Sequence, residues 1–278
     1  MVARGVENPY WQYFCGFDDP PLELPIDPSS PVRWRRRSGQ DGVALPLHET
    51  IAPAPRSEAV QPQSLERVSV DTTVQPKAIA HPLAARLHQR GRAVRRQLEG
   101  RPEVAAPCAQ ALTRVERLPA QQRTDQGELY ALHAPELACI AKGKAHKKSG
   151  FGAKVSVAIT HREGLVVGMQ SHPGNRYDGQ TLPPALAQLE RRTGTTPARG
   201  YVDRGYRGHR VSGATAVVIA GRRRGITATL KRELRRRCAI EAMIGHMKLD
   251  GKRARNQLQG APGDPSMRCA AAPATTCA

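Results

Sequence analysis

Residues 67–74 alternate Val68, Val70 and Val74 with polar neighbours, the two-residue period of a β-strand with one buried face, and carry Asp71 near the carboxyl end. Two apolar runs, 151–159 and 164–169, flank Thr160-His161-Arg162-Glu163 and predict a β-hairpin. Residues 200–203 read as a short strand ending in Asp203, and 216–220 as a β-branched strand of the buried kind. Elsewhere the period is helical. Residues 83–98 predict a basic helix. A second opens at Thr181 as N-cap, with Pro183 and Pro184 in its first turn and Leu182, Leu186 and Leu189 on one face. The last periodic segment, 232–249, sets Ile240, Ile244 and Met247 at helical spacing. Residues 100–127 carry little pattern, and 39–66, rich in Pro, Ala, Ser and Gln, read as a linker or peripheral segment.

Ahead of that linker, residues 7–38 hold both tryptophans, Phe14, Phe17 and three consecutive arginines at 35–37. The stretch 22–30 predicts a turn into a helix capped by Ser29 or Ser30, with Pro31 in its first turn. Such a cationic helix suits a DNA backbone; equally, it reads as a surface helix anchored by Trp34.

Charge narrows the choice of partner. Lys+Arg 43 against Asp+Glu 24 gives a formal net charge of +19 and a pI near 10.5, a field that concentrates phosphate backbones around the chain. No apolar run approaches the roughly 20 residues needed to span a bilayer, and no charged start followed by an apolar stretch marks a signal peptide. The chain therefore reads as intracellular. Its cysteines, at 15, 108, 139, 238, 269 and 277, form no C-x-x-C pair, so free thiols are expected rather than a zinc ribbon or a disulfide framework.

Against this cationic background three carboxylates stand in apolar or basic surroundings: Asp71, Asp203 and Glu241. Hard divalent cations demand oxygen ligands, so isolated acids at strand ends in a phosphate-binding chain suggest metal-assisted chemistry on a polyanion. Arg237, Glu241 and Lys248 share one face of the last predicted helix and offer one ligand between two cations, although an ordinary intrahelical ion pair has the same spacing. Asp178, in Tyr177-Asp178-Gly179 just before a helix, reads as a turn residue rather than a ligand. His133, Cys139 and His146 lack any standard ligand spacing. Lys142, Lys144, Lys147 and Lys148, entering a strand, can track a DNA backbone or form a solvated charge run.

The spacing of Arg237, Glu241 and Lys248 resembles the signature around the catalytic glutamate of DDE transposases of bacterial insertion sequences. Residues 201–208 (Tyr-Val-Asp-Arg-Gly-Tyr-Arg-Gly), 172–179 (His-Pro-Gly-Asn-Arg-Tyr-Asp-Gly), 141–148, 7–16 and 24–30 resemble transposases of insertion-sequence family five, over residues from about 4 to 260 in all. That resemblance implies an α/β, ribonuclease-H-like mixed sheet flanked by helices, with a partial helical N-terminal domain. It implies metal-dependent DNA cleavage and strand transfer, with Asp71, Asp203 and Glu241 as catalytic residues and ligands of two Mg²⁺ (or Mn²⁺) ions. Arg237, Lys248, Lys142, Lys144, Lys147, Lys148 and Arg204 become DNA contacts. The implied partners are double-stranded terminal inverted repeats and target DNA, bound by a homo-oligomer in the bacterial cytoplasm at the nucleoid, away from any membrane.

The chain also departs from that pattern. Leu234 stands where related families often carry a tyrosine, residues 81–84 lack the Thr-Asp that commonly follows the proline, and the tail after 264 resembles out-of-frame translation. The start resembles the middle of the family's N-terminal domain, so the expectation is a truncated or frameshifted copy. The expected division is 1–66 as partial N-terminal domain and linker, 67–255 as catalytic domain with an irregular insert at about 100–130, and 256–278 as a disordered tail. Two other classes compete: a non-catalytic DNA-binding remnant or regulator of the element, and a basic RNA-associated or ribosomal-type protein.

Overall fold

The computed structural model describes residues 9–14, 16–17, 23, 26–27, 29–30, 33–34, 37–39, 42, 45, 49, 61–79, 84–122, 125, 127–141, 149–221, 225–249 and 254–256. The chain divides into two compact units, Met1–Leu45 and Pro46–Ala278. In the first, helix α1 (Pro9–Phe14) is followed by a turn in which Asp27 Oδ1 accepts from Ser29 N at 2.7 Å and Ser29 O accepts from Arg33 N at 3.2 Å. Ser29 thus heads a helical stretch, as its position in the sequence predicts, while Pro31 lies outside the described residues. Residues 39, 42 and 45, within the expected linker, are helical. The expected tail, 256–278, lies outside the described residues except for Asn256, which bridges to Lys77.

The second unit is built on β1 (Arg67–Pro76), the central strand. After it come β2 (Ala138–Ala141), β3 (Ser149–Thr160), β4 (Val166–His172), β5 (Arg199–Val202) and β6 (Ala216–Ile219). Strand β3 lies antiparallel to β1 from Val68↔Thr160 to Pro76↔Gly152, and its other edge takes β4 and β2 in tandem, both antiparallel. On the opposite side β1, β5 and β6 run parallel. A β3–β4 hairpin, then β1, then two parallel strands make the mixed sheet of a ribonuclease-H-like fold. The hairpin expected around residues 160–163 is present, with Gly164 at φ +80 supplying the left-handed turn position.

The period of two sorts the core to both faces. Val68 and Val70 pack with Val167, Val202 and Tyr206 under helix α4 (Asp178–Thr193), whose Leu182, Leu186 and Leu189 point inward. On the other face Val155, Val157, Ile159 and Met169 pack against Ile240 and Met247 of helix α6 (Ala239–Leu249). Burial on both faces explains why β3 reads as a nearly continuous apolar run.

Several local expectations are corrected. Asp71 lies in the middle of β1, because pairing with β3 continues to Pro76, five residues beyond it. Helix α4 begins at Asp178, with Tyr177 and not Thr181 at the N-cap, so the two prolines are interior. Pro183 and Pro184 cannot donate to the carbonyls of Gly179 and Gln180. Local bonds hold that first turn instead, from Gln180 N to Tyr177 O (3.0 Å) and from Thr181 Oγ1 to Asp178 O (2.8 Å). The single helix expected over 232–249 is two: α5 (Ala228–Arg236), capped by Thr227, and α6. Tight bonds from Cys238 N to Arg235 O and from Ile240 N to Arg237 O mark the break and turn Arg237 and Ile240 inward.

The region expected to be irregular holds helix α3 (Pro102–Arg117), which forms a hairpin with α2 (Ala84–Leu98). Gly91 permits their contact, since a Cβ there would lie 2.3 Å from Val115 Cγ1. Arg95 and Glu116 form an ion pair across the hairpin.

Gly152 marks the tightest place in the sheet, facing Pro76 on one side and Ala138 on the other. A Cβ there would fall 2.0 Å from Gln75 O, a backbone atom that cannot rotate away. Gly152→Ala should therefore lower stability by roughly 2–4 kcal/mol. Urea unfolding of the two proteins measures it, and a loss below about 0.5 kcal/mol would refute the close approach.

Candidate active site

Hydrogen bonding between β1 and β5 stops at Ser69↔Tyr201. Carrying the same register two residues further sets Asp71 level with Asp203, where the strands part. Alternation puts both acids on the face of Ser69 and Tyr201, the side that α6 covers. They border an open cavity of about 530 Å³ that is also lined by Thr72, Thr73, Lys154, Asp178, Glu241 and Lys248. The last two of these sit on α6, and Asp178 heads α4.

Asp71 is buried, its side chain 15 % exposed, and receives the Thr72 amide at 2.8 Å. Arg237 stands between two acids: Nη1 lies 3.5 Å from Asp71 Oδ2, and Nη2 lies 3.3 Å from Glu241 Oε1. Its guanidinium is itself buried, with Nε and Nη1 making no hydrogen bond. Burial first, and then the Asp203 carboxylate, lift the Asp71 carboxyl to about 6, against the opposing pull of Arg237 and the Thr72 amide. Glu241 remains two-thirds exposed at 66 %. Lys248 Nζ reaches back to Thr73 Oγ1 on β1.

Asp203 caps a short 3-10 turn, accepting from Gly205 N at 2.9 Å. Beside it is Asp178, whose Oδ1 accepts from Thr72 Oγ1 and from Lys154 Nζ, both at 2.9 Å. Lys154 is buried and also donates to Arg176 O at 2.6 Å. Close to these acids the Tyr206 hydroxyl is fully buried, with the Thr181 side chain beside it. Burial above all, then Asp71, Asp178 and Asp203, raise its pKa well above the usual value.

The fold thus brings Asp71, Asp203, Glu241, Arg237 and Lys248 to one cavity or its edge. Arg204, expected at DNA, folds its guanidinium onto Gly221 O at 3.0 Å. Lys142, Lys144, Lys147 and Lys148 lie outside the described residues, as does His146. Asp178 and Lys154 are the residues that the sequence reading passed over. A lysine inside the apolar run 151–159 was the available signal for the second; for the first there was none beyond an acid heading a helix.

Among the described residues no three His, Cys, Asp or Glu side chains are gathered as a ready-made cage for an ion. The donor set nevertheless suits a hard divalent cation. Burial first and then the neighbouring Asp203 carboxylate raise the Asp71 carboxyl, and a bound cation would oppose both. A Cβ on Gly205 would lie 2.9 Å from Asp178 Oδ2 and 3.1 Å from Asp203 Oδ1, so the glycine lets both carboxylates approach it closely.

Comparison with known proteins bears on this geometry. Residues 125–261 match the family described as "Transposase DDE domain". Asp178, Asp203 and Glu241 fall inside that match and Asp71 ahead of it. Over 88 residues the chain is 52% identical to "Uncharacterized protein ORF8 in nfe locus" of Rhizobium meliloti, a stretch that makes up 32% of this chain and 42% of that one. The chain thus spans less than half the length of that relative. No solved structure matches it significantly. Among the described residues no helix is long and apolar enough to cross a membrane.

The raised Asp71 carboxyl makes stability depend on pH with a definite sign. A folded-state pKa above the unfolded one contributes stability that is fully present below about pH 4 and is lost as pH rises through about 6. In EDTA the protein should therefore lose roughly 2–3 kcal/mol from this group between about pH 4 and pH 7. Asp71→Asn should flatten that slope and raise Tm near neutrality. Thermal unfolding of both proteins across this range checks it, and superimposable pH profiles would refute the assignment.

Proposed function

Since the chain carries a transposase DDE domain, we propose that it is a DNA transposase acting through divalent-metal-dependent cleavage and strand transfer at the ends of an insertion sequence. The observation that carries this reading is the register of Asp71 with Asp203 beyond the last β1–β5 pair, on the face from which α6 presents Glu241. Asp71, Asp203 and Glu241 are the residues that would hold Mg²⁺ or Mn²⁺. Two such ions supply, when bound, an activated water or 3′-hydroxyl on one side of a phosphodiester and stabilisation of the leaving oxygen on the other.

The chain's own residues do the rest. Strand β1, paired beyond Asp71 to its end, fixes that carboxylate on a rigid element. Asp203 is oriented by the Gly205 amide. Arg237 offsets negative charge on Asp71 and Glu241. Lys248, at the cavity edge, is placed for a phosphate, and the lysines at 142–148 extend the basic character along the sequence. An excess of positive charge, +19 over the whole chain, draws duplex DNA to the protein with strong salt dependence. Terminal repeats, target DNA and a homo-oligomer assembled on them belong to the same proposal.

One observation favours a second reading. Arg237 occupies the space between Asp71 and Glu241, and Glu241 stands out in solvent, as suits a remnant that occupies element ends without cutting them. Strand transfer on duplexes copied from the DNA flanking the gene, with Mg²⁺ or Mn²⁺, separates the two. Cleavage or joining should fall by more than ~100-fold, the scale of even an indirect disturbance of a metal site, in Asp203→Asn and Glu241→Gln. Salt-sensitive DNA binding should survive in both variants. Binding without turnover, from folded wild-type protein, would establish the remnant.

A further inference from the structure

We propose that Asp178 is a fourth carboxylate of the site, contributing its free oxygen to the divalent cation that Asp203 holds. This inference rests on the transposase reading and extends it to a residue outside the Asp71, Asp203 and Glu241 set.

The two oxygens of Asp178 have different surroundings. Oδ1 is committed, accepting from Thr72 on β1 and from buried Lys154 on β3. Lys154 is in turn fixed by Arg176 O, so the carboxylate is held from two neighbouring strands. Oδ2 lies beside Gly205, where a Cβ would fall 2.9 Å from it and 3.1 Å from Asp203 Oδ1, so both acids crowd the same glycine.

Carboxylates gathered this closely repel unless positive charge offsets them, and the Gly205 amide that Asp203 Oδ1 accepts supplies only part of that. Lys154 meets that need at Oδ1 and leaves Oδ2 unmet. Close to the pair the fully buried Tyr206 hydroxyl, beside Thr181, sits in the field of Asp71, Asp178 and Asp203, so the acids share one low-dielectric corner.

Hard divalent cations take six or more oxygens, and a carboxylate already anchored through one oxygen presents the other at no further ordering cost. Asp178 therefore adds a preorganised donor to a set in which Glu241 is exposed and lightly held.

Mn²⁺ binding to the purified full-length chain, followed by calorimetry and by the Mn²⁺-induced rise in Tm, tests this without relying on catalysis. Asp178→Asn should weaken Mn²⁺ binding by roughly tenfold or more, since the amide can still accept from Thr72 and Lys154 through one oxygen while the charge is gone. The double variant Asp178→Asn/Lys154→Met removes one negative and one positive charge, leaving the pocket's net charge as in the wild type. If Asp178 donates an oxygen to the cation, the double variant stays weak although its fold is sound. Recovery of wild-type affinity in the double variant would show that Asp178 only balances Lys154 and would overturn the proposal, as would unchanged affinity in Asp178→Asn. Should the single variant fail to fold with Lys154 uncompensated, the double variant decides alone. A wild-type chain that takes up no Mn²⁺ would instead sink the transposase reading along with this one.

Discussion

Repulsion between Asp71 and Asp203 is the constraint around which the rest of the catalytic face is arranged. Two parallel strands that stop bonding after Ser69 and Tyr201 deliver their next inward-facing side chains at the same level and on the same side. When both are carboxylates, the charge conflict adds to burial, the larger cause, in raising the Asp71 carboxyl. The sheet tolerates it because β1 is anchored elsewhere, by pairing with β3 along nearly its whole length and by the two valine-rich layers above and below. Stability withheld at such a place is the usual companion of function, and the surrounding core supplies what the site gives up.

That division of labour explains which parts of the molecule were legible in the sequence. Five of the six described strands were, since β-branched alternation at 67–74, the long run at 151–159 and the short run ending at Asp203 are local patterns and the core follows them; β2, four residues long, was not. The match over residues 125–261 bears out the resemblance to DDE transposases, without specifying one insertion-sequence family. Helix α3 was hidden for a physical reason. Of its inward positions, Ala105, Cys108, Leu112 and Val115, two are small and only Val115 is fully buried, and Pro107 on the exposed side reads as a breaker although it lies within the first turns. The break between α5 and α6 was equally hidden, because Ile240, Ile244 and Met247 keep a helical period on their own and nothing before them announces the tight turn at Cys238.

Asp178 shows the other kind of illegibility. Tyr-Asp-Gly before a helix reads locally as a turn, whereas in the structure Tyr177 is the N-cap and Asp178 and Gly179 open the helix itself. What makes the carboxylate more than a turn residue is contact with Thr72, 106 positions away, and with Lys154, 24 positions away. Such a role is a property of topology: β3 must lie beside β1, and α4 must return across both, before the three side chains meet. Lys154 was visible as an anomaly, a charge in an apolar strand, but an anomaly has no meaning until its partner is placed.

The two buried cations beside the site acids then differ in a way that bears on how the site works. Lys154 is nearly satisfied, with Asp178 and a backbone carbonyl as partners, and behaves as a fixed part of the scaffold. Arg237 is not. A guanidinium offers five N–H donors, yet here it closes one long hydrogen bond to Glu241 and an ion pair to Asp71, while Nε and Nη1 stay buried and unbonded. A residue retained purely for packing would be expected to have its donors met. Arg237 instead supplies charge where Asp71 needs it and leaves hydrogen-bonding capacity unused at the cavity edge. That imbalance stands beside Asp71, whose carboxyl is raised by burial first and by Asp203 next. Buried polar atoms lack partners elsewhere too, at His161 Nε2 and Gln170 Oε1, but those of Arg237 adjoin the acids that border the cavity, where a ligand from outside would complete them.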